Sequence, residues 1–201
     1  ENNFTRYTAV DGTIELKNAV VDKFSRDNYI TYELNEVTVG SGAKQIIYNA
    51  FMATLNEGDE VIIPSPYWVS YPDMVLLAGG QPVIVEGRAS NDFKITPQAL
   101  EATITEKTKW LILNSPSNPT GSCYTIDEIR ALADVLLKYE HVHILSDDIY
   151  EHLIFDGLEF ATIAGVEPKL KNRVLTLNGV SKAYSMTGFR IGFAGGNATL
   201  I

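Results

Sequence analysis

Val174-Leu175-Thr176-Leu177-Asn178-Gly179-Val180-Ser181-Lys182-Ala183-Tyr184-Ser185-Met186-Thr187-Gly188-Phe189-Arg190-Ile191-Gly192 reads as an apolar strand, a polar loop and the start of a second apolar run. Val174 to Leu177 is apolar apart from one β-branched threonine, as expected of a strand covered on both faces. Lys182 falls just past this strand. Arg190 follows eight positions later, amid Phe189, Ile191 and Phe193, and opens a strand predicted over 190–194. A surface lysine and a snorkelling arginine are one reading. An arginine inside an apolar strand, however, usually needs an anionic partner. The spacing alone leaves both readings open.

Working outward, the same pattern repeats. Short apolar runs at Val37 to Val39, Glu60 to Ile63, Pro82 to Val85, Trp110 to Leu113 and Val142 to Leu145 predict further strands. Helical spacing links Ala43, Ile46, Ile47, Ala50 and Phe51, and also Ile126, Ile129, Leu132, Ala133 and Leu136. Thr125, with Glu128 three residues on, reads as the capped start of the second helix. Tyr71 to Leu77 and Pro97 to Ile104 are shorter helix candidates. Strand and helix in alternation predict an α/β domain built on a mainly parallel sheet. Ligands of such sheets sit beyond the carboxyl ends of the strands. That directs attention to residues 40–44, 114–121, 146–150 and 178–182, where glycine and polar residues concentrate.

Composition narrows the function. The 201 residues are 45% hydrophobic and 20% charged, which fits a globular domain and not a disordered chain. No apolar run reaches membrane-spanning length. A net charge of -9 argues against nucleic-acid binding through bulk charge. One cysteine, Cys123, excludes an internal disulfide and a cysteine zinc site, and it fits the cytoplasm. His141 and His143 are expected to share a strand face, and with His152 they make no metal set, so no metal is expected. Asn3-Phe4-Thr5 and Asn197-Ala198-Thr199 match the glycosylation tripeptide and are read as chance matches. The sequence opens without Met and is read as a piece of a longer polypeptide.

The loops carry the chemistry. Asn114-Ser115-Pro116-Ser117-Asn118-Pro119-Thr120-Gly121 is at least a good turn, placed directly after a strand. In Ser146-Asp147-Asp148-Ile149-Tyr150, two carboxylates at a strand end could cap a helix or face a cationic ring nitrogen. Val39-Gly40-Ser41-Gly42-Ala43-Lys44-Gln45 leads through glycines into a helix, whose free N–H groups attract phosphate. It begins like a dinucleotide fingerprint, but Gln45 stands where the third glycine belongs. Tyr67-Trp68-Val69-Ser70-Tyr71, set between prolines, is either core packing or a ligand platform.

Together these stretches resemble the class I and II aminotransferases, the pyridoxal-phosphate enzymes of fold type I, and most closely the bacterial aspartate aminotransferase subgroup. The likeness is strongest at Ser181-Lys182 with Gly188-Phe189-Arg190-Ile191-Gly192, and it spans essentially the whole chain. It implies a seven-stranded, mainly parallel sheet with one antiparallel strand and helices on both faces. It makes Lys182 the Schiff-base lysine, and it puts Arg190, Ser181 and the amides of Gly42, Ala43 and Lys44 on the cofactor phosphate. It pairs Asp147 with the pyridine nitrogen, sets Asn118 and Tyr150 on the ring's 3-oxygen, and stacks Trp68 on the ring. Trp68, Asn118 and Lys44 also fall to the substrate, with Lys44 on the distal carboxylate of a dicarboxylic amino acid. Asp148 stands where the family more often has Glu and is expected to support only. Tyr7 is expected to reach the cofactor phosphate of a neighbouring subunit in a homodimer.

The implied activity is transfer of an amino group between an amino acid, aspartate or glutamate, and a 2-oxo acid, with Lys182, Asp147 and Tyr150 as catalytic groups. Residues 1–201 would be the large domain, with an N-terminal arm and a small domain lying outside it. Two rival readings share the cofactor residues: a C–S lyase or synthase of the same fold type, and an aminotransferase-like effector domain of a transcription regulator. The truncated piece could also be inactive alone.

Overall fold

The computed structural model describes residues 5–201, so the Asn3-Phe4-Thr5 tripeptide begins outside the described residues. Seven strands form one sheet: β1 Val37–Ser41, β2 Glu60–Ser65, β3 Gln81–Glu86, β4 Thr108–Asn114, β5 His143–Asp147, β6 Val174–Gly179 and β7 Ile191–Gly195. Their spatial order is β1-β7-β6-β5-β4-β2-β3. β7 runs antiparallel to both its neighbours, and the remaining pairings are parallel. The expected single reversed strand is therefore β7.

Side-chain alternation builds two cores. On one face Leu111, Leu113, Ile144 and Val174 pack with Val20 and Phe24 of α1 (Ile14–Asn28) and Leu100 of α4 (Pro97–Thr103). α5 (Ile126–Leu136) and α6 (Ile163–Val166) cover the same face. On the other, Val61, Ile63, Trp110, Ile112 and Leu177 pack under α2 (Ala43–Thr54) and α3 (Ser70–Leu77). Both faces are dry, which is why the strands read as apolar throughout. α5 begins as expected. Thr125 Oγ1 accepts from the Glu128 amide at 3.3 Å, and Glu128 Oε2 accepts from the Thr125 amide at 2.8 Å. Such a cap contributes about 1 kcal/mol.

Three expectations need correction. Arg190 is not in a strand. It holds a left-handed conformation (φ 55°), which extended pairing excludes, and β7 starts at Ile191. Val142 precedes β5, and so does His141, so the two histidines do not share a strand face. His141 Nε2 lies 3.0 Å from the Thr105 carbonyl, whereas the His143 ring packs against Trp110. The longest described helix, α1, has no counterpart among the predicted elements. Its buried stripe is Lys17, Val20, Phe24 and Asn28, half of it polar, so hydrophobic spacing is too weak to announce it. Among the described residues, no helix is long and apolar enough to cross a membrane.

Candidate active site

The carboxyl ends of β4, β5 and β6 lie side by side, with Asn114 in register with Asp147 and Asp147 with Leu177. β7 returns beside them, pairing Gly192 with Gly179. The start of α2 and the start of α3 close over this edge. The resulting cleft is lined by Ala43, Lys44, Trp68, Asn118, Asp147, Tyr150, Ser181, Lys182 and Arg190, nine of the eleven residues expected at the site.

Asp147 is the buried acid of the cleft, only 4% exposed. Burial pushes its carboxyl above the usual range, opposed by the Tyr71 hydroxyl, the Ile149 amide and the Lys182 charge. Tyr71 donates to Oδ2 at 2.5 Å and Ile149 N to Oδ1 at 3.4 Å. Asp148 sits next in sequence yet serves another environment. Its Oδ1 accepts from Ser146 at 2.8 Å, and burial raises its carboxyl well above the ordinary value, opposed by the Thr162 and Ser146 hydroxyls.

In the same cleft Arg190 lies against the start of α2, an arrangement that could hold an anion. The first amides of a helix have no acceptor within it. Gly42 caps α2 at φ 86°, and a Cβ there would lie 2.3 Å from the Arg190 guanidinium. Glycine is thus what lets the guanidinium rest on the helix start. Arg190 Nη1 donates to the Thr187 carbonyl at 3.0 Å, which ties the left-handed turn together. Gly42 itself stands behind the lining. Lys182 Nζ lies 5.8 Å from the centroid of the Tyr150 ring. Lys44 Nζ lies 4.7 Å from the Trp68 ring centroid and donates to Ser70 Oγ at 3.1 Å. Those contacts hold an ammonium at a helix start, where the macrodipole disfavours it. Tyr7 is fully exposed and does not reach this cleft.

A guanidinium on a helix start, a half-buried indole, a buried carboxylate and a primary amine converge on one cleft. That donor set fits a phosphorylated aromatic aldehyde with a basic ring nitrogen. The sequence matches the family described as aminotransferase class I and II over residues 1–201. The chain belongs to that family. It is 59% identical over all 201 residues to a probable aspartate/prephenate aminotransferase of Rickettsia conorii, covering 50% of that protein. The solved aspartate aminotransferase of Rhizobium meliloti superposes with a TM-score of 0.96 at 56% identity, over 97% of this chain and 49% of that one. The Thermus thermophilus aspartate aminotransferase, solved with maleate, superposes with a TM-score of 0.92 at 42% identity, over 97% and 50%. The chain thus spans about half the length of the relatives it matches.

Several lining residues, among them Tyr71, Asn114 and Thr187, lie in the stretches quoted from the sequence but received no role there. Tyr71 stands three positions after Trp68, a spacing that puts both on one side of a helix start. Asn114 is the last residue of β4, where a strand delivers its side chain to the site; its Nδ2 donates to the Asp147 carbonyl at 2.8 Å and its Oδ1 accepts from the Asn118 amide at 2.9 Å. Among the described residues one group, Asp27, Glu151 and His152, has cation-binding spacing. Lys23 already pairs with Glu151 there, so the group reads as an ion-pair cluster.

Proposed function

We propose that residues 1–201 are the large, cofactor-binding domain of a pyridoxal-phosphate-dependent aminotransferase. The observation that carries this reading is the convergence of Lys182 and Arg190, from the stretch around β6 and β7, with Asp147, from the end of β5, on one cleft. Family membership supports the chemistry, and the half-length match supports the reading as one domain of a longer enzyme. A cytoplasmic homodimer completes it, with Tyr7 directed to a partner's site.

When bound, the cofactor supplies an aldehyde that condenses with amines and a ring that draws electron density from the substrate α-carbon. Arg190, Ser181 and the amides at the start of α2 would hold its phosphate. Trp68 would cover one ring face, and Asn118 and Tyr150 would donate to the ring oxygen. Asp147 would hold charge opposite the ring nitrogen. Lys182 Nζ would anchor the group and, once displaced, move the substrate's α-proton. Lys44, on the rim, would meet a second carboxylate. The names and contents of the relatives support a dicarboxylic substrate: aspartate or prephenate in one, maleate in another.

Borohydride reduction followed by peptide mapping tests the anchor. The reduced adduct is expected on Lys182, and an adduct on Lys44 would sink the assignment. For substrate class, Lys44→Met should lower kcat/KM on aspartate by about ten- to a hundredfold, the scale of one charge-assisted hydrogen bond, and leave phenylalanine nearly unchanged. A parallel fall on both would remove the dicarboxylate reading.

A further inference from the structure

Tyr71 sits in the first turn of α3, 2% exposed, with its hydroxyl 2.5 Å from Asp147 Oδ2. Its ring meets Trp68 edge-on, with centroids 5.3 Å apart and planes at 89°. One side chain therefore touches both the acid at the cleft floor and the indole at its wall. We propose that Tyr71 is a positioning residue, whose hydroxyl fixes the Asp147 carboxylate toward the ligand and whose ring sets the angle of Trp68.

The rival is a tyrosine that merely packs, since Tyr71 also belongs to the core under α2 and α3. Packing alone does not need the hydroxyl. A buried hydroxyl is costly unless it is bonded, and this one is spent on Asp147. The carboxylate needs the donor in turn. In a dry site an acid without donors takes up a proton, and a neutral acid is a poor partner for a cationic ring nitrogen. The groups facing Asp147 are Tyr71 from α3, the Ile149 amide from its own loop, and Lys182 after β6. Lys182 is the group that would be consumed in anchoring a cofactor, so its charge is not a constant support. The Tyr71 phenol is pushed well above its ordinary value by burial and by the Asp147 charge, so it remains a donor throughout the working range.

This inference rests on the reading of Asp147 as the ring-nitrogen partner, and the test separates the two. The full chain is compared with Tyr71→Phe and with Tyr32→Phe. Tyr32 is an equally buried tyrosine that bonds Thr176 Oγ1 at 3.0 Å and packs with the opposite core. In cofactor-free protein with labelled aspartate carboxyls, the Asp147 signal, identified by its loss in Asp147→Asn, should titrate at higher pH in Tyr71→Phe and not in Tyr32→Phe. With pyridoxal phosphate labelled at the ring nitrogen, Tyr71→Phe should move the nitrogen resonance toward that of a neutral ring. kcat should fall about tenfold with KM nearly constant. An unmoved Asp147 titration would overturn the proposal. A moved titration with an unmoved ring nitrogen would instead show that Asp147 does not face the ring, and both the positioning role and that part of the functional reading would fall.

Discussion

Two adjacent acids show how far one residue of chain separates roles. A strand sends successive side chains to opposite faces. Asp147 therefore ends β5 looking into the cleft, while Asp148 lies with Ser146 and Thr162 on the far side. Asp147→Asn should keep the fold and remove most of kcat, because a neutral amide cannot hold charge opposite the ring nitrogen. Asp148→Asn should lose far less; equal losses would overturn the division. Stability should separate them as well. Burial raises the Asp148 carboxyl in the folded state above its unfolded value. Such an acid binds its proton more tightly when folded, so the stability it contributes is present below the unfolded value and is lost as the pH rises toward the folded one. Asn cannot ionise. The Tm of Asp148→Asn relative to the parent should therefore climb as the pH rises from about 4 toward neutrality, and a constant difference across that range would refute the argument.

At the level of elements, legibility followed the physics of each segment. All seven strands could be read because both sheet faces are dry, leaving runs with few polar interruptions. α2 and α5 could be read from their apolar stripes, and α5 also from its cap. α1 could not, because Lys17 and Asn28 occupy its buried face, where the lysine pairs with Asp11 and the amide of Asn28 bonds Glu151 at 2.8 Å. Long-range partners of that kind leave no periodic trace. The site divides in the same way. Lys182 and Asn118 stand in loops after strands and Asp147 ends one, so position drew attention to the segments that hold them. The contact of Gly42 with Arg190 joins residues 148 positions apart through a left-handed turn, and the apolar neighbours of Arg190 instead suggested a strand. Tyr71 stood in a run legible either as core packing or as a ligand platform, and it is core; the second role proposed for it lies in one hydroxyl that hydrophobic pattern cannot see.

At the scale of the whole molecule, the question is where Tyr7 acts. It is fully exposed, and it stands outside the cleft that gathers nine other expected residues. On the proposed function, its hydroxyl would reach the cofactor phosphate of another copy. A hydroxyl on a phosphate dianion contributes roughly 1.5–3 kcal/mol, so Tyr7→Phe should weaken cofactor binding by about ten- to a hundredfold. That loss alone would not say whose site is served. Subunits carrying Lys182→Ala and subunits carrying Tyr7→Phe are therefore unfolded together and refolded as a mixture. In a hybrid dimer with crossed contacts, the site that keeps Lys182 receives its tyrosine from the Lys182→Ala subunit, so every residue there is native. Cofactor titration, followed by the imine absorbance at Lys182, should then resolve a population with parental affinity that neither variant shows alone. If Tyr7 serves its own chain, every site that keeps Lys182 also keeps Phe at position 7, and the mixture should titrate as the Tyr7→Phe protein does. That second result would remove both the crossed contact and the argument for a dimer built on it.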